Sequence, residues 1–138
     1  MKSLSKYSFC VLFATLSILL VGCFESQHNA DQTSQEAPIC QIDAKVLYDE
    51  YESNQVAADQ KYKGKVIVVT GSIKDIGKDL MDQPYIKIGR SAVLGVDCTF
   101  VKKDSSPIAN LQKGQTVSVK GRVEGKIINV KITECSLQ

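Results

Sequence analysis

The segment Lys63-Gly64-Lys65-Val66-Ile67-Val68-Val69-Thr70-Gly71-Ser72-Ile73 marks the place where the chain changes from a helical to a strand pattern. Its β-branched residues predict one long strand over residues 65–76. Gly71 lies in the middle of that strand, and a glycine in this position predicts a bend or a bulge. We therefore expect the domain to be built around this strand.

A second segment repeats the same spacing of glycines. Lys63-Gly64 is followed seven residues later by Gly71, and Lys113-Gly114 is followed at the same spacing by Gly121. Two strands with a glycine at mid-length can coil around a small barrel core, because no side chain fills the tightest point. The repeat therefore favours a small β-barrel that contains both segments.

Three further strands are predicted between turn residues. Their expected positions are residues 84–88, residues 93–101, and a last strand that follows a tight turn at Gly125-Lys126, with Ile128, Val130 and Ile132 facing inward. Ser105-Ser106-Pro107 is typical of a helix start and lies between the third strand and the fourth, residues 115–124. This order of five strands and one short helix predicts an OB-fold, a five-stranded Greek-key barrel.

A helix is predicted ahead of the barrel, over residues 42–62. Asp43 suits the N-cap position. Residues at spacings of three and four form an otherwise apolar stripe: Leu47, Tyr51, Asn54, Ala58 and Tyr62. A buried Asn needs a hydrogen-bond partner, so we expect Asn54 to make a structural hydrogen bond. The expected fold class is mainly β with an N-terminal α-helix.

The run from residue 42 to residue 137 resembles the tRNA_anti-like family of bacterial OB-fold lipoproteins. The resemblance rests on the helical stripe, on Lys63-Gly64-Lys65, on Val69-Thr70-Gly71, on Cys98-x-Phe100, on Leu111-x-Lys113-Gly114-Gln115-x-Val117-x-Val119-x-Gly121 and on Cys135. It implies the OB-fold. The tRNA in the family name describes a likeness to the anticodon-binding domain of tRNA synthetases and implies no substrate.

Three cysteines lie in the predicted domain or close to it: Cys40 just ahead of the helix, and Cys98 and Cys135 in the barrel. The third and fifth strands of an OB-fold are parallel neighbours, so a disulfide between Cys98 and Cys135 is geometrically reasonable. However, Cys135 is out of phase with the inward residues of its strand, and a bulge near Glu134 would be needed. Two buried thiols, or another pairing, remain open alternatives.

The first residues of the chain resemble a lipoprotein signal peptide. Leu20-Val21-Gly22-Cys23 matches a lipobox and predicts a signal peptide over residues 1–22 with lipidation at Cys23. An ordinary secretory signal or a transmembrane anchor is the alternative, but an apolar run of about 14 residues is short for a membrane span. Phe24 after the cysteine favours an outer membrane, on its periplasmic side, if the host has two membranes.

The next segment, residues 23–41, is predicted to be a flexible tether that joins the lipid to a helix-plus-barrel domain over residues 42–138. Its composition is rich in Gln, Ser, Asn and Asp. Residues 23–60 contain one basic and eight acidic residues, whereas residues 61–138 contain 14 basic and seven acidic residues. This asymmetry can indicate a surface for polyanions, but we favour an acidic helix packed on a basic barrel.

No set of residues in the sequence points to catalysis. The chain has no Cys-x-x-Cys and no glycine-rich phosphate loop, and its single histidine, His28, lies in the predicted tether. Clustered metal ligands are also lacking. We expect neither an enzyme nor a metal or other cofactor.

A ligand-binding face remains as the predicted functional site. OB-folds bind ligands on their second and third strands and on the adjoining loops. The candidate residues in that region are Tyr85, Lys87, Arg90, Lys102 and Lys103. We expect a non-catalytic module, held on the membrane by lipid, that binds an envelope protein, a peptide or a glycan. Binding of nucleic acid or another polyanion through the basic face is the less favoured alternative, because only one aromatic residue is available for stacking on bases.

Overall fold

The computed structural model describes residues 32–102 and 105–138. The predicted signal peptide, the predicted lipidation site at Cys23 and the candidate Lys103 lie outside these residues. Within the described part, no helix is both long and apolar enough to cross a membrane.

Five strands close into a barrel: β2 (Val66–Lys78), β3 (Pro84–Ile88), β4 (Val96–Phe100), β5 (Thr116–Lys126) and β6 (Val130–Leu137). They pair in the order β2-β3-β4-β6-β5, and pairing of β2 with β5 completes the ring. Only the β4–β6 pair within the ring is parallel. A one-turn helix, α4 (Ser105–Ile108), lies between β4 and β5. The predicted five-stranded OB-fold is confirmed.

The two glycines of the sequence repeat are both sites of close approach, but to different elements. A Cβ atom added at Gly121 would lie 2.6 Å from Cγ2 of Ile132 and 2.9 Å from Sγ of Cys135. One added at Gly71 would lie 3.0 Å from Cβ of Ala44, the first residue of α2 (Ala44–Ser53). Because Gly71 has no side chain, α2 can pack close to β2. The same is true of Gly121 and the approach of β6 to β5.

Two helices, and not the single predicted one, precede the barrel: α2 and α3 (Gln55–Tyr62). Asn54 separates them in an extended conformation (φ −158°) and is exposed, so the prediction that it lies in a buried stripe was wrong. Its Oδ1 accepts a hydrogen bond from the Ala57 amide at 3.1 Å and caps α3. An N-cap residue cannot be helical itself, which explains the break.

The rest of the helical stripe packs on the barrel as predicted. Leu47, Tyr51, Ala58 and Tyr62 are all buried. Asp43 is the N-cap of α2, since its Oδ1 accepts a hydrogen bond from the Lys45 amide at 2.8 Å.

The segment before α2 pairs with the barrel. β1 (Gln41–Asp43) lies parallel to β2, and the Ile39 amide donates to the carbonyl of Val66 at 2.9 Å. β3 pairs only with residues 73–78 of β2, so β1 occupies the edge that β3 leaves open along the first half of β2. The predicted flexible tether over residues 23–41 therefore extends too far at its C-terminal end.

A short helix, α1 (Gln32–Gln35), precedes β1 and is also fixed to the barrel. Thr33 donates a hydrogen bond to Glu134 of β6. The Arg122 guanidinium pairs with Glu36 at 2.7 Å, and this bond raises the pKa of Arg122.

The hairpin between β5 and β6 differs from the prediction. β5 runs on to Lys126, which pairs with Val130, so the turn lies at residues 127–129 instead of Gly125-Lys126. Ile128 consequently faces solvent, whereas an inward position was predicted. A register shift between Val123 and Gly125 carries β5 past the expected turn.

Candidate ligand-binding face

The outer surface of β3 and β4 holds a tightly paired lysine at its centre. Lys87 of β3 lies opposite Asp97 of β4, and Nζ of Lys87 is 2.6 Å from Oδ1 of Asp97. Lys87 is only 7% exposed. A lysine predicted as a ligand contact is therefore committed to a neighbouring carboxylate.

Tyr85, the predicted aromatic contact, is half-buried and fixed to β2. Its hydroxyl donates to Asp75 at 3.0 Å, and its ring covers Gly77, where an added Cβ would lie 3.1 Å from Cε1. Lys113 also binds Asp75, at 2.7 Å. The hydrogen bonds from Lys113 and then Tyr85 lower the pKa of Asp75, and the Asp75 carboxylate, followed by burial, raises the pKa of Tyr85.

Arg90 and Lys102, the other predicted basic residues that the structure describes, do not converge on this surface. The Arg90 guanidinium lies 3.5 Å from Asp49 of α2 and 5.8 Å from the ring centre of Tyr48. Lys102 pairs with Asp82 at 3.2 Å. Arg90 therefore contacts the acidic helix, although its side chain stays 43% exposed.

Two adjoining concavities run along the outer surface of β3, β4 and the start of β6. The smaller, of about 260 Å³, is lined by Asp79, Tyr85, Lys87, Asp97, Thr99 and Lys131. The larger, of about 470 Å³, lies between this surface and α3 and also contacts Asp97 and Lys131. We call the two together the β-face groove.

An ordered loop presents apolar side chains at one end of the groove. The Oδ1 atom of Asp79 accepts hydrogen bonds from the amides of Met81 and Gln83, both at 2.9 Å. This arrangement leaves Leu80 fully exposed and Met81 77% exposed. The β2–β3 loop is thus held by its own polar residues while its apolar residues face solvent.

The β5–β6 turn, at the other end of the groove, is likewise fixed by polar residues and exposes apolar side chains. Asn129 accepts from the Gly95 amide and donates to Asp97, both at 3.0 Å, and Gln55 of α3 donates to the carbonyl of Lys126 at 2.8 Å. Ile127 is 96% and Ile128 65% exposed. Each end of the groove is therefore a fixed loop tip with two exposed apolar side chains.

The larger concavity also contains two uncommitted cations. Lys63 and Lys131 line it, and neither has an ion pair or a side-chain hydrogen bond to any residue in the described ranges. Lys126, which lines it too, pairs with Glu52 at 2.6 Å and lies 5.4 Å from the ring centre of Tyr48. The carboxylates of Asp59, Asp97 and Glu124 balance these cations, so the groove has mixed charge.

Several groove residues were not among the predicted site residues. Asp97 and Lys131 each alternate with apolar residues along a predicted strand, which places them on its outer face but indicates no ligand contact. Ile127 and Ile128 carried a signal, since two adjacent apolar residues cannot both face the core of a strand. That signal would have moved the turn to residues 127–129.

The sequence matches the tRNA_anti-like family over residues 1–136. The chain belongs to the tRNA_anti-like family. No curated protein matches it by sequence. Among solved structures, this tRNA_anti-like chain is similar to a Klebsiella pneumoniae lipoprotein that is provisionally described as nucleic acid-binding, with a TM-score of 0.58 and 16% identity over 81% of this chain and 99% of that one. A likeness at this level of identity shows a common fold.

Two further structures are similar over about half of the tRNA_anti-like chain. One is the asparaginyl-tRNA synthetase of Entamoeba histolytica, with a TM-score of 0.41 and 18% identity over 54% of this chain and 21% of that one. The other is the OBody AM3L09, solved bound to hen egg-white lysozyme, with a TM-score of 0.41 and 19% identity over 56% of this chain and 84% of that one.

The cysteines of the tRNA_anti-like domain are free thiols in the structure. Cys98 and Cys135 are buried, and Cys40 is half-buried. The disulfide between Cys98 and Cys135 stays a prediction. Among residues 32–102 and 105–138, no group of three or more His, Cys, Asp or Glu side chains is placed to hold a metal ion.

Proposed function

We propose that this tRNA_anti-like chain is a non-catalytic binding module, anchored by lipid in the bacterial cell envelope, whose β-face groove binds an extended polypeptide segment of a partner protein. The observation that carries this proposal is the pair of ordered loop tips at the two ends of the groove. Leu80 and Met81 form one tip, and Ile127 and Ile128 form the other. Fixed apolar side chains exposed beside a polar groove are typical of a protein interface.

The chemistry of the groove suits a polypeptide better than a polyanion. Its centre is the neutral Lys87–Asp97 pair, and its free lysines are balanced by nearby carboxylates. A polypeptide brings apolar side chains for the two tips and charges of both signs for the middle. A glycan would satisfy the polar middle but would leave the four apolar side chains of the tips in water.

The proposed lipid at Cys23 limits where the partner can be. The described structure begins at residue 32, and eight residues separate it from Cys23. A chain extends at most about 3.6 Å per residue, so this segment can span no more than roughly 30 Å. The partner would therefore present its bound segment close to the bilayer.

Nucleic acid binding is the second candidate. It is supported by the description of the Klebsiella pneumoniae lipoprotein and by the unpaired Lys63 and Lys131 in the groove. Against it, Tyr85 is fixed to Asp75, and Lys87, Arg90 and Lys102 are all ion-paired. Single-strand binding relies on free cations and on aromatic rings open to bases.

Photocrosslinking in intact cells tests the ligand class. A photoreactive phenylalanine analogue replaces Met81 or Ile128 at the tips, or Val46 on the exposed side of α2 as a control. We expect both tip variants to give the same adduct, which protease removes, and the control to give none. Lys131→Glu in the tip variants should reduce the adduct. An adduct that is removed by nuclease would replace the polypeptide with nucleic acid, and one that is removed by glycosidase would replace it with a glycan.

Fatty-acid labelling tests the anchor. The wild-type chain should incorporate labelled palmitate and sediment with membranes, whereas Cys23→Ser should do neither, because the proposed thioether is formed on this sulfur. Cys40→Ser is the matched control and should keep the label. Equal labelling of Cys23→Ser and wild type would rule out lipidation at this position.

A further inference from the structure

An irregularity in β6 brings its cysteine to the core. Cys98 of β4 lies opposite Ile132, and Phe100 lies opposite Cys135, so β6 uses three residues where β4 uses two. The extra residue is accommodated at Glu134, which has a left-handed backbone conformation (φ 53°). This bulge turns Cys135 from the outer surface to the inside, where it is 1% exposed.

The opposite strand leaves space for this sulfur. Gly121 of β5 has no side chain, and a Cβ atom there would lie 2.9 Å from Sγ of Cys135. Burial, and then the adjacent Cys98 thiol, raise the pKa of Cys135. Three local features, the bulge, the glycine and the buried position of Cys98, therefore combine to place two thiols side by side between parallel strands.

We propose that Cys98 and Cys135 are joined by a disulfide when the chain meets an oxidising compartment. Two S–H bonds break and one S–S bond forms. The two thiols lose two protons and two electrons to a disulfide oxidant, such as oxidised glutathione or a thiol oxidoreductase, which is reduced to two thiols. The pairing does not depend on the proposed ligand.

Cys40 is not a competing partner in this arrangement. Its carbonyl accepts a hydrogen bond from the Val68 amide at the edge of β2, whereas Cys98 and Cys135 lie on β4 and β6, neither of which pairs with β2. The bond between Cys98 and Cys135 would also hold β4 in register with β6. Both strands line the β-face groove, through Asp97, Thr99 and Lys131, so oxidation would stiffen the proposed binding surface.

Peptide mapping of the full-length protein tests the pairing without any substitution. Cells that export the chain are lysed in denaturant with N-ethylmaleimide, which blocks every free thiol. Trypsin then cuts after Arg90, Lys102 and Lys131, which places Cys98 in the peptide 91–102 and Cys135 in the peptide 132–138. We expect these two peptides to be recovered as one linked species that separates on reduction.

Recovery of both peptides with N-ethylmaleimide attached would overturn the proposal. So would failure of the purified, reduced chain to form the linked species with oxidised glutathione. Reduction should lower the midpoint of thermal unfolding by about 10 °C or more, because the bond closes a long loop in the unfolded chain. Cys40→Ser should retain this shift and Cys98→Ser should lose it. An equal shift in both variants would also contradict the pairing.

Discussion

Lys87 and Asp97 face each other across β3 and β4, and their ion pair at 2.6 Å closes the centre of the β-face groove. The lysine side chain is 9% exposed and the aspartate side chain 30% exposed, so the lysine needs its counter-ion more than the aspartate does. A buried ammonium group without a counter-ion is costly, whereas a partly exposed carboxylate can turn to water.

Removing the aspartate should therefore destabilise the protein more than removing the lysine. We expect Asp97→Ala to lower the free energy of unfolding by about 2–4 kcal/mol, because it leaves the buried Lys87 ammonium without a counter-ion. Lys87→Met keeps the packing of the aliphatic stem and should cost less than about 1.5 kcal/mol. Urea unfolding of the full chain measures both.

Lys78→Ala provides the control for a surface pair. Lys78 and Asp82 are 2.8 Å apart, but both side chains are more than 60% exposed. Loss of such a pair should change the free energy of unfolding by no more than about 0.5 kcal/mol. If Asp97→Ala costs as little as this control, the central pair is not a buried ion pair in solution.

The glycine at the β5–β6 contact should tolerate no side chain. A Cβ atom at Gly121 would meet Ile132, Thr133 and Cys135 at 2.6–2.9 Å. We expect Gly121→Ala to cost about 3 kcal/mol of unfolding free energy from this overpacking. Gly114→Ala, where φ is +90° but no atom lies within 4 Å, should cost about 1 kcal/mol from backbone strain alone. Equal costs in thermal unfolding would contradict the packing role of Gly121.

The barrel was predictable from sequence because its signals are local. Alternating apolar residues and the repeated spacing of Gly71 and Gly121 identify strands wherever those strands end up in space. The packing role of each glycine depends on residues far away in sequence. Gly71 leaves space for Ala44, and Gly121 leaves space for Cys135. Which element approaches a strand depends on the packing of the whole chain.

The chemistry of the groove was not predictable for the same reason. Lys87, Arg90 and Lys102 were assigned to one ligand-binding face because OB-folds bind ligands on their second and third strands and on the adjoining loops. Their partners come from other elements, namely Asp97 of β4, Asp49 of α2 and Asp82 of the β2–β3 loop. Strand register and helix docking decide these contacts, and a single sequence carries little information on either.

The break between α2 and α3 depends on one side chain. Oδ1 of Asn54 accepts from the Ala57 amide, which otherwise has no partner in the first turn of α3. We expect Asn54→Ala to lower the free energy of unfolding by about 1 kcal/mol. Asn54→Asp should keep most of the wild-type stability, because an aspartate can also cap the helix. Ser53→Ala, at the adjacent exposed position, should remain within about 0.5 kcal/mol in the same chemical unfolding assay. A loss no greater than that of Ser53→Ala would show that the cap does not hold the two helices apart.

Because of Asp75, the free energy of unfolding should depend on pH in the acid range. Hydrogen bonds from Lys113 and Tyr85 lower the pKa of Asp75 in the folded chain, while in the unfolded chain its pKa is near the ordinary value of about 3.9. A carboxyl whose folded pKa is depressed stabilises the protein above its unfolded pKa, and this contribution is lost as the pH falls through the folded pKa.

Asp75→Asn should therefore be less stable than wild type by about 1 kcal/mol at pH 7, since the side chain is 27% exposed and solvent weakens the pair. The difference should shrink as the pH falls below about 4, because the unfolded wild-type chain then takes up a proton at Asp75 that the folded chain does not yet hold. Lys113→Ala removes the largest cause of the shift and should raise the folded pKa of Asp75, which carboxyl NMR titration measures directly. A difference between Asp75→Asn and wild type that stays constant from pH 7 to pH 3, or an unchanged Asp75 titration in Lys113→Ala, would show that Lys113 does not hold this carboxylate ionised.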